Sequence, residues 1–123
     1  MAAAKRIALL GDPVEWHGQE VREVFLRRPK AGLIISLGEP RFVTGTKEAM
    51  YYVERDDVVG SYLDALLSLD GEKPIEGGAA HFLRLVDMVD GLQIKDALFG
   101  FFTEALARIS AAKAISSSST SGN

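Results

Sequence analysis

Gly18-Gln19-Glu20-Val21-Arg22-Glu23-Val24-Phe25-Leu26-Arg27-Arg28-Pro29-Lys30-Ala31-Gly32 is the stretch on which the fold turns. Val21, Val24, Phe25 and Leu26 supply the β-branched, aromatic and apolar content of a strand. Arg27 and Arg28 follow, and Pro29 then removes a backbone donor, so a central strand cannot continue through it. Upstream, Arg6–Leu10 reads as a first strand. Gly11-Asp12-Pro13 interrupts it as a bulge or bend, Val14-Glu15-Trp16 resumes it, and His17-Gly18 is a two-residue hairpin turn in which Gly18 supplies positive φ. That register sets Val14 opposite Val21, Leu10 opposite Phe25 and Leu9 opposite Leu26. A lone hairpin is marginal, so it requires a cover.

Downstream, residues 30–37 are open between a turn or two of helix beginning at Pro29 and a buried strand, because a short apolar run has no decisive period. Gly38-Glu39-Pro40 stops it in either case. Arg41–Thr44 and Met50–Val53 read as a second hairpin, at about 41–53, around a Gly45–Ala49 loop. From Asp56 the spacing becomes helical. Asp56 or Asp57 caps a helix that carries Val58, Val59, Tyr62, Leu63, Leu66 and Leu67. A further helix is expected from Gly77 or Gly78 to Val89, with Asp90-Gly91 as a break. The last helix, about Gln93–Ala112, sets Ile94, Ala97, Leu98, Phe101, Phe102, Ala105, Leu106 and Ile109 on one stripe, with Phe99 at its edge. The expected architecture is α+β: an N-terminal β-hairpin and a second hairpin packed on a bundle of about three α-helices. Residues 1–115 form one domain, and the Ser-rich segment 116–123 is a disordered, flexible tail.

Composition narrows the function classes. The apolar share of 47% and charged share of 25% are those of an ordinary globular domain. A formal net charge of −3 argues against a nucleic-acid binder, whose grip on phosphate needs a clustered basic face. The chain contains no cysteine, which excludes disulfides, thiolate zinc sites and a cysteine nucleophile. The N-terminal residues lack the apolar run of a signal peptide, and no stretch approaches the ~20 apolar residues of a membrane span. A cytoplasmic protein with no membrane partner is expected.

No motif announces chemistry. His17 and His81 stand alone, without the helical spacing of paired metal ligands. Gly77-Gly78 lacks the spacing and lysine of a phosphate loop and reads as a helix entrance. Asp56-Asp57, Asp87 and Asp90 are the nearest group of carboxylates, and acid–base work would require a pocket that separates their pKa values. The expectation is therefore no catalytic residue, no metal site and no cofactor. The one suggestive feature is Phe99-Gly100-Phe101-Phe102. Phe101 and Phe102 belong to the stripe, Phe99 extends an exposed apolar patch, and Gly100 admits another backbone. Candidate partner-binding residues are Phe99 and Phe102, with Arg27, Arg28 and Lys30 steering an acidic partner. Solubilising charge is the plainer reading of those three cations. The same apolar edge serves self-association into a homo-oligomer as readily as partner capture.

The segment from Ile7 to Gly32 resembles the opening of tail assembly chaperones from long-tailed phages and prophages. There, a short strand leads to a Pro-Val element, a turn glycine and a strand ending in Leu-Arg-Arg-Pro or Leu-Arg-Lys-Pro. Here Pro13, Val14, Gly18, Val24, Leu26, Arg27, Arg28, Pro29, Lys30, Ala31 and Gly32 match, and Leu98-Phe99-Gly100-Phe101-Phe102 is similar to the family's C-terminal helix. The match covers the first quarter of the chain well and the remainder loosely, and residues 41–54 depart from the family's polar, variable middle. The resemblance implies a non-enzymatic protein acting in the host cytoplasm during virion assembly. It would bind the tape-measure protein and tail-tube subunits and be absent from the finished particle. Two other readings use the same residues: a tail or head–tail joining protein retained in the virion, and a small enzyme or ligand-binding domain with a pocket between helices and hairpin.

Overall fold

The computed structural model describes the backbone of residues 4–121 and the side chains as far as residue 115. Its first half is strand-rich. Strands β1 (Lys5–Ala8), β2 (Val14–Trp16), β3 (Gln19–Val21) and β4 (Glu23–Leu26) fold back on one another as a long, interrupted hairpin. The two-residue turn is present as expected: His17 and Gly18 both have positive φ, at 49° and 79°. Such a turn matches the right-handed twist of the strands it joins. Trp16 stacks on His17 and meets the edge of Phe82.

At the tip, Val14 pairs with Val21 as the sequence register requires. At the base the expected register is wrong. Ile7, not Leu10, is the apolar residue of the first strand that is buried there, and it pairs with Val24, while Arg6 pairs with Phe25 and Lys5 with Leu26. Leu9 donates its N–H to Arg22 O, so residues 10–13 leave the ladder together and Leu10 is 70% exposed. The whole base shifts by these four looped-out residues, where a simple bulge adds one.

What stabilises the excursion lies eighty positions away. The Asp90 carboxylate is completely buried and accepts from the backbone N–H groups of Leu10 (2.7 Å) and Gly11 (2.9 Å) and from the Gln93 side-chain amide (2.8 Å). Buried amides released from a ladder must find acceptors, and a carboxylate serves two of them at once. Gly11 is obligatory for a second reason. A Cβ there would sit 2.5 Å from the Asp87 Cβ.

β4 is the centre of a three-stranded antiparallel sheet, in the order β1-β4-β7, where β7 is Leu67–Ser68. The 30–37 segment is resolved in favour of helix: α1 spans Ala31–Leu37, beginning two residues after Pro29, and ends where Gly38 (φ 79°) returns its N–H to Ile34 O. The second hairpin is β5 (Arg41–Gly45) and β6 (Met50–Glu54), paired Arg41↔Glu54 through Gly45↔Met50.

Helix α2 (Asp56–Leu66) buries Val58, Val59, Tyr62, Leu63 and Leu66. Leu67 is also buried, but in β7. Neither Asp56 nor Asp57 caps α2: Arg55 holds the cap position with no side-chain bond, and the two aspartates lie in the first turn, where they complement the helix dipole. The expected helix from Gly77 to Val89 is short. α3 covers only Ala79–Leu83, with Asp64 accepting from Ala79 N–H (3.2 Å). Nor is Asp90-Gly91 a break. Helix α4 runs Met88–Ser121, and Asp87 Oδ2 accepts from Val89 N–H (2.9 Å) at its start. Of the segment expected to be flexible, the backbone through Ser121 continues α4, and residues 122–123 lie outside the described residues.

The chain is thus α+β, with N-terminal antiparallel strands and hairpins followed by helices, as expected; two of the four helices among the described residues are short. One core joins the two sides of the sheet sequence to the helices. Val24 and Leu26 of β4, Tyr62 of α2, Phe82 of α3 and Ile94 and Leu98 of α4 are fully buried in it. Each such aliphatic or aromatic side chain contributes about 1.5–3 kcal/mol through removal from water.

Candidate interaction surface

The candidate residues divide sharply once they are placed. Phe99 is not part of an exposed patch. It is 6% exposed and belongs to the core. The reason is the second hairpin: Arg41 lays its guanidinium over the Phe99 ring, 4.6 Å from the centroid, and so covers the side of α4 that a helical wheel leaves open. Gly100 is exposed, and a Cβ there would meet nothing within 4 Å, so among the described residues no backbone uses its clearance.

Phe102 is half-buried, edge-on to Tyr62 at 5.5 Å. Tyr62 in turn donates its hydroxyl to Gly38 O (2.6 Å), and burial, with the Glu39 carboxylate nearby, raises its pKa above the usual phenol value. Arg28 spans to α4, with its guanidinium over Phe101 (5.8 Å) and 3.7 Å from a Glu104 carboxylate oxygen. Arg28 and Phe102 do meet: with Pro29, Ile34, Phe101 and Ala105 they line a cavity of about 40 Å³. Arg27 is a structural strut. It donates to the Ala65 and Glu72 carbonyl oxygens, tying β4 to the end of α2 and to the turn after β7, and its Nε is buried without a partner. Lys30 is exposed at the start of α1. Arg27, Arg28 and Lys30 border one open depression of about 320 Å³, but two of the three are already engaged.

The remaining positions singled out by the resemblance are architectural. Pro13 lies in the looped-out segment, Gly18 in the hairpin turn and Leu26 in the buried central strand, Pro29 separates β4 from α1, and Gly32 lies in the first turn of α1.

The structure brings forward a different surface. α4 has 34 residues and is therefore about 50 Å long. Ile94, Ala97, Leu98 and Phe99 are buried, but beyond Thr103 the stripe is only partly covered: Leu106 is 51% and Ile109 50% exposed. The β5–β6 hairpin stands beside this portion with Phe42, Val43, Met50, Tyr51 and Tyr52 all exposed. Between hairpin and helix runs a groove of about 210 Å³, lined mainly by Pro40, Val43, Tyr52, Phe102 and Leu106, with Arg41 and Glu39 as its charged groups. Lys95 and Glu54 (2.6 Å) pin the hairpin to α4 at one end.

This surface was only half legible in advance. The sequence sets Leu106 and Ile109 on the apolar stripe and gives the second hairpin no partner-binding role. The available signal is arithmetic: a stripe running to Ile109 outlasts the short elements that would cover it.

The Asp70 carboxyl is held below its ordinary value, lowered to about 2. Its causes are the Glu72 and Lys73 backbone N–H groups and the Ser68 hydroxyl, all within a surface turn, rather than a catalytic cleft. No group of three or more His, Asp or Glu side chains suited to a metal ion occurs among the described residues, and no described helix is long and apolar enough to cross a membrane. No protein-family model, curated protein or solved structure matches the chain.

Proposed function

We propose that the protein is a tail assembly chaperone of a phage or phage-like particle, acting without catalysis by binding the tape-measure protein, and tail-tube subunits, during assembly. The observation that carries this reading is the pair of half-exposed stripe residues Leu106 and Ile109 of α4 beside the exposed aromatic hairpin. A contiguous apolar surface on a small domain marks a partner site, and an amphipathic helix with a neighbouring groove is the geometry of helix-in-groove recognition. A long helical client suits it. The sequence resemblance in residues 7–32 supplies the identity of that client. The basic residues Arg27 and Arg28 lose their proposed steering role, because they are occupied within the fold.

Co-expression with the tape-measure protein, followed by pull-down and size-exclusion chromatography, tests the proposal. The expected result is a soluble complex that forms only when both chains are present. A client equally soluble alone, with no complex, overturns it. Recovery of this chain from purified particles would favour instead a tail or head–tail joining protein retained in the virion.

A further inference from the structure

The groove between the β5–β6 hairpin and α4 contains one cation whose arrangement is unusual. Arg41 lies 4.5 Å from the Tyr52 ring centroid and 4.6 Å from that of Phe99, so aromatic groups hold the guanidinium in place. One of its nitrogens donates to Thr103 Oγ1 (3.2 Å), and Thr103 donates in turn to Phe99 O (3.1 Å). Although Glu54 is its cross-strand partner, Glu54 is paired with Lys95, and Arg41 has no ion pair among the described residues. A guanidinium has five N–H donors in a rigid fork, and a stacked one is already fixed for bidentate contact. Its planar fork suits a carboxylate or a phosphate, and the carboxylate is the one of the two that an unmodified protein client carries.

The apolar part of the groove begins beside that cation. Val43 and Tyr52 form one wall and Phe102 and Leu106 the other, and Ile109 continues the helix wall one turn further. From this geometry we propose that the groove binds an amphipathic helix of the client, which inserts an apolar side chain between Tyr52 and Leu106 and presents a carboxylate from the same face to Arg41. Residues three or four apart on a helix share a face, which sets the spacing between the two anchors. Glu39 borders the same groove, so the occupant carries a single carboxylate beside apolar residues rather than an acidic run. The inference rests on the chaperone reading for the client's identity and on the groove alone for its chemistry.

The test uses the full chain and two fluorescently labelled amphipathic peptides of about 20 residues, with identical apolar stripes. One carries glutamate, the other lysine, at a position four residues from a stripe leucine. Affinity is read by fluorescence anisotropy. The glutamate peptide is expected to bind at least about tenfold more tightly, the scale of one charge-assisted contact. Arg41→Gln should abolish that preference, and Leu106→Asp should weaken both peptides. Equal affinities, a preference that survives Arg41→Gln, or no binding of either peptide would overturn the inference. Should Arg41→Gln fail to fold, the peptide pair on the unaltered chain and Leu106→Asp still decide it. The same variants are then assayed with the tape-measure protein. Peptide selectivity without tape-measure binding would sink the chaperone reading and leave the groove standing. Tape-measure binding untouched by both variants would do the reverse.

Discussion

The apolar stripe of α4 meets two different fates along its length. From Asp90 to Phe102 its apolar face is met by the sheet, by α2 and by the second hairpin, and even its one buried carboxylate is fully engaged. At Leu106 and Ile109 the stripe is left half exposed, with only the groove wall of the second hairpin beside Leu106. A helical apolar period therefore says that a face wants cover. It does not say whether the cover belongs to the same chain.

Substitutions in the two halves sharpen the contrast. The largest effect is expected from Phe99→Asp, which replaces a buried core ring with a short carboxylate and leaves the space of the ring unfilled. Its stability loss should exceed about 4 kcal/mol and abolish cooperative unfolding in urea. A folded Phe99→Asp with ordinary stability would return Phe99 to the surface. Asp90→Ala comes next, at about 1–3 kcal/mol, because the part-buried N–H groups of Leu10 and Gly11 lose their acceptor. The urea midpoint measures it, and hydrogen exchange at Leu10 and Gly11 should accelerate.

Gly60→Ala and Gly100→Ala act in the opposite direction. Both glycines are exposed within helices, and an added Cβ meets nothing within 4 Å. Each alanine should stabilise by about 0.5–1 kcal/mol in thermal unfolding. Gly100→Ala has a second readout. Lost client binding with raised stability would show that a partner backbone approaches there after all. Leu106→Asp should cost no more than about 1 kcal/mol, since its site is half exposed. A large loss would mean that the distal half of α4 is covered in solution.

The smallest effect is confined to acid. Asp70 has its pKa lowered from 3.8 to about 2 by the turn amides and Ser68, so the ionised carboxylate favours the folded state. That contribution is present above about pH 4 and is lost as pH falls through about 2. The stability difference between the native chain and Asp70→Ala should be level near neutrality and shrink across this window. A difference that grows on acidification would contradict the turn's role.

Local chemistry was the readable part of this molecule. His17-Gly18 has the backbone freedom of a primed turn, Val14 and Val21 lie the same short distance from it, and Pro29 ends the strand that precedes it. The apolar spacing of α2 and α4 foretold which of their residues are buried as far as Leu98. The base of the first hairpin was not readable. A register there depends on how many residues leave the ladder, and that number is set by an acceptor on a helix eighty positions later. The helix break expected at Asp90-Gly91 failed for the same reason: turn-forming residues were read locally, while Asp90 is held by long-range bonds. Phe99 was misplaced because a helical wheel does not contain Arg41.

By itself, then, the sequence determined the α+β class, the turn, the two hairpins and the principal apolar faces, because these follow from neighbouring residues and short periods. Only the tertiary structure decided the base register, the buried role of Phe99, the engagement of Arg27 and Arg28, and the exposure of the distal stripe. Each depends on which distant groups arrive to satisfy an amide, cover a ring or leave an apolar face in water.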